Sequence, residues 1–372
     1  MLMNMEAAIR NLYFHIPFCA KLCPYCSFYV DTHFINKSTH FLDALLLELD
    51  MHRSRFTLKP QTIYFGGGTP SALSLSQLEY LITGLRKRVD LGDLKEWTVE
   101  VNPATVSQEK ARLLRDLGVN RISMGVQSWD DAVLKTLGRI HTARQSEKTY
   151  SILREAGFDN INLDLMFAVP GQTRETWRET LKTTIALRPE HISAYSLTYE
   201  EDTAFFKKLQ TGELSRDNEW DADLFELTMD RLCEAGYGQY EVSNYAKPGC
   251  ESQHNSACWN GDDYLGLGPS AFSTRGIDRW QNLADTSGFV ERMHSNQSPV
   301  SFKERISPKT RLGERIAFSM RTRQGVELDL LEPWRGELDA FFALGLIEYT
   351  GSHAVLTRKG KMLADSVAEI FV

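Results

Sequence analysis

The sequence predicts an α/β protein built round a parallel sheet, and three observations predict it. Short apolar runs of strand length recur six times in the first two hundred residues. Amphipathic stretches with a helical period lie between them. Glycines stand where those helices would stop, as the left-handed position after a helix requires. Six strand–helix alternations give a parallel sheet with right-handed crossovers, because a helix returning over the sheet brings the next strand in parallel. A barrel and an open doubly wound sheet both satisfy that pattern.

The strands follow in order. Leu12–Ile16, Thr62–Gly66, Trp97–Val101, Arg121–Val126, Ile161–Phe167 and His191–Leu197 are apolar runs rich in β-branched and aromatic residues. Ser74-Leu75-Ser76-Gln77 is a capping box, and Leu78, Leu81, Ile82 and Leu85 follow at helical spacing. Ala111–Leu117 stops at Gly118, and Ser151–Ala156 stops at Gly157. After about residue 200 the rhythm changes. Glu200–Glu219 reads as a loop with a short helix, and Trp220–Ala235 as a helix closed by Gly236. Residues 250–300 are rich in Gly, Ser, Asn and aromatics, with little periodicity. The last seventy residues read as a small α+β unit: helices near Lys309–Arg321 and Leu328–Leu344, a hairpin around Tyr349–Ala354, and a final helix from Lys359. That order resembles a winged helix, a layout that does not by itself imply DNA binding. The division expected is 1–200, 201–300 as a linker region, and 301–372.

Composition narrows the function classes. The chain has 372 residues, 42% hydrophobic and 24% charged, which permits a sizeable core. Its formal charge is −7, from 42 basic and 49 acidic residues, and this argues against a nucleic-acid backbone as partner. No apolar run approaches the roughly 18 residues of a membrane span. Met1 to Arg10 contains Glu6 and no apolar centre, so it does not read as a secretory signal. Three of the six cysteines crowd into residues 19–26, while Cys233, Cys250 and Cys258 lie far downstream. A disulfide framework would spread them differently. The pattern expects metal or redox chemistry in a reducing, cytoplasmic compartment, with buried free thiols at the other three.

Cys19-Ala-Lys-Leu-Cys23-Pro-Tyr-Cys26 sets three thiolates on one loop directly after the first strand. Three thiolates hold three corners of a four-iron, four-sulfur cluster and leave the fourth iron open. An open iron binds a molecule through an amine and a carboxylate, and S-adenosylmethionine carries both. The competing reading is structural zinc on the three cysteines and His15. The downstream cysteines supply no second ligand pair for it.

The CxxxCxxC spacing is the signature of the radical S-adenosylmethionine superfamily. The longer string Tyr13-Phe-His-Ile-Pro-Phe-Cys19 to Cys26-Ser-Phe28 resembles its HemN/HemW branch, which holds oxygen-independent coproporphyrinogen oxidases and haem chaperones. The resemblance runs through nearly the whole chain. It implies a partial (β/α)6, TIM-like barrel with the [4Fe–4S] cluster at its top on Cys19, Cys23 and Cys26. Gly66-Gly67-Gly68-Thr69-Pro70 lacks the Gly-Lys-Ser/Thr of a phosphate loop and the spacing of a dinucleotide fingerprint. It resembles the branch's GGTP motif, in which the backbone and Thr69 meet the amino group of S-adenosylmethionine. Glu100, Gln127, Arg139 and Asp164 stand at or near strand ends. A buried carboxylate such as Asp164 needs a ligand or a partner, for instance Arg139. The resemblance implies that Glu100 and Arg139 hold the methionine end, and Gln127 and Asp164 the ribose hydroxyls. Tyr13 and Tyr25 match positions flanking the cofactor.

Two features lean towards the chaperones. The oxidases carry a fourth cysteine two residues after the third, where this chain has Phe28. The chain also begins close to the cysteine loop, without the oxidases' long N-terminal extension. His254-Asn255-Ser256-Ala257-Cys258-Trp259 resembles the chaperones' HNxxYW motif, with Cys258 where Tyr is usual. A histidine can be an axial haem ligand, which makes His254 the haem candidate. A satisfied structural histidine is the competing reading. The expectation is therefore a protein that binds the cluster, S-adenosylmethionine and haem as cargo. It would pass haem to haem proteins such as respiratory enzymes, and would form a homodimer. The alternatives are decarboxylation of coproporphyrinogen III, radical chemistry on another substrate, or a zinc-stabilised structural protein.

Overall fold

The computed structural model describes residues 8–32 and 38–372, so the reading of Met1, Met3, Met5 and Glu6 lies outside the described residues. Six parallel strands form the centre: β1 (Ile9–Ile16), β2 (Leu58–Gly67), β3 (Glu96–Val101), β4 (Arg121–Gln127), β5 (Ile161–Phe167) and β6 (His191–Ser196). They pair side by side in sequence order. The helices between them are α1 (Ser38–Arg53), α2 (Leu75–Arg86), α3 (Gln108–Asp116), α4 (Asp131–Thr136), α5 (Ala143–Glu155) and α6 (Arg174–Leu187). The expected capping box at Ser74 and Gln77 is formed, with both reciprocal hydrogen bonds.

Alternation along the strands sorts the side chains. Leu12, Phe14, Ile63, Phe65, Ile122, Met124, Leu163 and Leu165 turn towards the helices and are completely buried in one continuous core. The opposite face carries Asn11, Tyr13 and His15 on β1, Thr62 and Tyr64 on β2, and Glu96, Thr98 and Glu100 on β3. It continues with Arg121 and Ser123 on β4, Asn162 and Asp164 on β5, and His191 and Ser193 on β6. A polar concave face next to an apolar convex one is what a sheet wrapped round a polar ligand requires.

The sheet does not end at residue 200. β7 (Gly238–Gln239) and β8 (Asn244–Ala246) extend it beyond β6, antiparallel, and β9 (Leu265–Leu267) adds in parallel beside β1. The order is β7-β8-β6-β5-β4-β3-β2-β1-β9, with its two edges not paired to each other, so the barrel is partial. Residues 201–300 are thus no linker. They also hold α7 (Ala204–Gln210), α8 (Asn218–Glu234), α9 (Gln253–Trp259), β10 (Phe272–Arg275), β11 (Asp278–Asn282) and α10 (Thr286–His294). Their strands run only two to five residues, too short for a period of two to show in the sequence.

α9 plugs the barrel floor. Its N-terminus sits on the buried Glu96 carboxylate, which accepts from Ser252 Oγ at 3.3 Å, Gln253 N at 2.8 Å and His254 N at 3.0 Å. Carboxylate charge at a helix N-terminus is favourable because the first amides lack intrahelical partners.

Beyond α10, β12 (Val300–Arg305) completes a three-stranded sheet with β10 and β11. Next come α11 (Pro308–Met320) and a second small sheet of β13 (Val326–Glu327), β14 (Ile347–Thr350) and β15 (His353–Leu356). The helix expected over Leu328–Leu344 is broken into Leu328–Leu331 and Arg335–Ala343 by a 3-10 turn at Glu332-Pro333-Trp334, where proline cannot donate to the helix. Among the described residues, no helix is long and apolar enough to cross a membrane.

Candidate cofactor site

A cavity of about 410 Å³ opens where β1 to β6 end. That is within the range of about 300–1,000 Å³ usual for small-molecule sites. Cys19, Cys23 and Cys26 lie at its wall, together with Tyr25, Gly67, Gly68, Thr69, Glu100, Gln127, Arg139 and Asp164. The fold thus brings together residues from six separate segments.

The cysteine loop leaves β1 at Pro17 and is tied back by Asp31 N to Pro17 O at 2.8 Å and Cys19 N to Asp31 O at 3.3 Å. Cys26 N donates to Cys23 O at 3.2 Å, which turns the last thiol back towards the second. Cys19 Sγ lies 3.4 Å from Thr69 Oγ1, and Arg139 Nη1 donates towards Cys23 Sγ at 3.9 Å. Burial holds the thiols of Cys19 and Cys26 above their ordinary range, so iron would displace protons there. No three His, Cys, Asp or Glu side chains among the described residues converge as ligands of a single ion. His15, the fourth ligand in the competing zinc reading, is engaged elsewhere, with Nε2 2.8 Å from Tyr29 O and Nδ1 3.1 Å from Tyr13 Oη.

Gly67 turns the chain at the end of β2 with φ of +103°. A Cβ there would meet the His15 ring at 2.6 Å, so only glycine fits the turn. The turn leaves the Gly67 amide to donate to Glu100. Glu100 also accepts from Tyr64 Oη at 2.8 Å. Burial is the largest influence on Glu100 and pushes its pKa up to about 7.

Gln127 closes β4 at φ of +66°, where the β4–β5 register slips by one residue. A non-glycine residue in that conformation is strained, and such strain collects at ligand sites. The bulge aims Gln127 into the cavity rather than the core. Gly125 makes room for it: a Cβ there would stand 3.1 Å from Gln127 Nε2 and 3.2 Å from Arg139 Nη2.

Arg139 follows α4 and reaches Gly125 O with Nη2 at 3.0 Å. Its Nε is buried with no partner. A buried donor left open beside a cavity is the place for a ligand carboxylate. Asp164 is not paired with Arg139. Its oxygens accept from Asn162 Nδ2 at 2.8 Å and Ser123 Oγ at 3.0 Å, and burial raises its pKa. Two carboxylates, an open guanidinium donor and three thiols fit an amino-acid ligand with a ribose, held beside an iron–sulfur cluster.

Two expected residues lie elsewhere. Tyr13 is outside the cavity lining, one strand behind Tyr64, with its hydroxyl on His15. His254 is only 5% exposed. Its Nδ1 lies 2.8 Å from Thr62 Oγ1 and its ring packs on Tyr64 at 5.2 Å. Burial, then Arg121, lowers its pKa to about 4. In this position Nδ1 is engaged by Thr62 and the ring face is covered by Tyr64. Cys258 is likewise kept a thiol, its pKa pushed up to about 12 by burial and Asp262.

Sequence reasoning missed Tyr64, Arg121, Ser123, Asn162 and Ser193, which line the same cavity. The signal was available as polar residues at every second position of otherwise apolar strands.

Residues 13–184 match the Radical SAM superfamily. The protein named heme chaperone HemW from Lactococcus lactis is 37% identical over 324 residues, covering 87% of this chain and 84% of that protein. The heme chaperone HemW of Bacillus subtilis is 34% identical over 379 residues, covering 98% and 99%. That of Escherichia coli is 34% identical, covering 97% and 98%. Among solved structures, coproporphyrinogen III oxidase (HemN) from Escherichia coli, a radical SAM enzyme, superposes with a TM-score of 0.85. It is 24% identical, covering 99% of this chain and 91% of that one, a likeness of fold. With HemW proteins matching at about a third of positions over nearly its whole length, the chain belongs to the HemW family of the radical SAM superfamily.

Proposed function

We propose that the protein is a cytoplasmic haem chaperone: it takes up haem and delivers it to haem proteins such as respiratory enzymes. The observation that carries the reading is the full-length likeness to proteins named heme chaperone HemW, joined to a cavity lined by the three cysteines and the polar strand-end residues. Cys19, Cys23 and Cys26 would hold the [4Fe–4S] cluster. Gly67, Gly68, Thr69, Glu100 and Arg139 would bind the methionine end of S-adenosylmethionine, and Gln127 and Asp164 its ribose. When bound, the cluster supplies one electron to the sulfonium. The chain's own residues orient the ligand and keep water from it: Glu100 offers a carboxylate to the ammonium, Arg139 offers Nε to the carboxylate, and Tyr25 closes the side against Arg139. The homodimer expected from the family belongs to the same proposal.

The test is anaerobic purification, cluster reconstitution and titration with haem followed by absorbance, with coproporphyrinogen III supplied in parallel. Saturable haem binding near one equivalent, and no decarboxylation of the porphyrinogen, is the expected result. Turnover of the porphyrinogen would replace the chaperone with an oxidase.

A further inference from the structure

The floor of the cofactor cavity is polar, but its mouth is not. Leu22, Phe28 and Ile140 are 53%, 68% and 49% exposed, and all three line the cavity. Leu22 and Phe28 come from the cysteine loop, and Ile140 from the turn after α4. Tyr195, at the end of β6, adds a fourth large apolar side chain at 37% exposure. Large apolar side chains scattered singly need no explanation, but four on one rim mark a surface that something covers. The cavity itself does not absorb them: its volume of about 410 Å³ is that of one small-molecule site, and its depth is occupied by the polar set already assigned.

The rim also has a charge pattern. Lys21, exposed beside Leu22, lines the same mouth and makes no ion pair with any of the described residues. Glu200, the carboxylate on the rim, comes after β6, on the far flank of the six parallel strands from β1. The cysteine-loop side of the mouth therefore combines aromatic and aliphatic surface with an exposed cation. That is the complement of a broad flat ring system carrying carboxylates at one edge.

We propose that this rim is the haem platform: the macrocycle lies on Phe28, Leu22 and Ile140 over the cavity mouth, with Lys21 meeting a propionate. The inference rests on the chaperone reading and supplies the binding site for it. Haem is held there by stacking and charge, without His254, which is buried under Tyr64 on the barrel floor. The position also sets haem across the cofactor's entrance, so haem and cofactor occupy one site in layers.

The experiment titrates hemin into the reconstituted full-length chain by absorbance. It compares the wild type with Phe28→Ser, Ile140→Ser, Lys21→Glu and His254→Ala, with the cluster absorbance and S-adenosylmethionine binding recorded for each. The expected result is a loss of tenfold or more in haem affinity for Phe28→Ser and Ile140→Ser. Lys21→Glu loses several-fold, and His254→Ala keeps the wild-type affinity and spectrum. Should Phe28→Ser lose its cluster, Ile140→Ser, on a different segment, decides. Wild-type affinity in the rim variants overturns the platform while leaving the chaperone reading intact. Absence of saturable binding by the wild type overturns the chaperone reading and the platform with it. Rim variants that bind haem normally but no longer pass it to an apo-haem protein would make the rim a protein-docking surface and likewise overturn the platform.

Discussion

Replacing Asp164 by Asn separates a binding role from a structural one. Asp164 is buried in the middle of β5 and accepts from Asn162 Nδ2 at 2.8 Å and Ser123 Oγ at 3.0 Å. Burial raises its pKa, so the folded protein resists its charge. For an acid raised in the folded state, stability is fullest below the unfolded pKa and falls as pH rises through the folded one. A neutral amide removes that loss, and it can still accept from Asn162 and donate to Ser123. Unfolding free energy at pH 7 should therefore hold or rise. Binding should move the other way. Hydrogen bonds to a charged acceptor contribute about 1.5–3 kcal/mol. Their loss weakens S-adenosylmethionine binding about 10- to 150-fold. Anaerobic calorimetry gives the affinity and urea unfolding the stability. An Asp164→Asn protein that binds the cofactor like the wild type would refute the ribose assignment. One that unfolds several kcal/mol more easily would show the carboxylate to be structural.

Three further outcomes follow from the same geometry. Gly67→Ala combines a positive φ, costing about 1–2 kcal/mol, with a clash against His15 costing about 1–3 kcal/mol. Urea unfolding should show a loss of about 2–5 kcal/mol, together with lost cofactor binding. Burial pushes the Glu100 pKa up to about 7, so cofactor affinity should fall roughly tenfold for each pH unit below that, while Glu100→Gln binds weakly and without this pH dependence. Glu96→Ala strips three acceptor contacts from the start of α9 and should lower stability by on the order of 3 kcal/mol. Hydrogen exchange should then show α9 amides opening first.

All six central strands were legible because each is a short apolar run ended by a turn residue, and local pattern is what sequence displays. The cysteine loop and Gly67-Gly68-Thr69 were legible for the same reason, since their chemistry lies in contiguous residues. β7, β8 and β9 were not, because two or three residues cannot display a period, and their place in the sheet depends on partners far away in the chain. The cavity floor was half legible. Asp164 stood out as a charge in an apolar strand. Ser123 and Asn162, which hold it, are small polar residues that a sequence cannot tell from ordinary strand-end groups. His254 shows the limit most clearly. A histidine in a recognisable motif says nothing about burial, and here Thr62 and Tyr64, almost two hundred residues earlier, enclose it.

The most direct test of the account is electron paramagnetic resonance of the reduced, reconstituted protein with and without S-adenosylmethionine. Three cysteine ligands with one open iron corner predict a [4Fe–4S] signal that shifts when the cofactor binds, and its loss in Cys19→Ala. A signal indifferent to the cofactor, or a full cluster assembled in Cys19→Ala, would contradict the three-cysteine site.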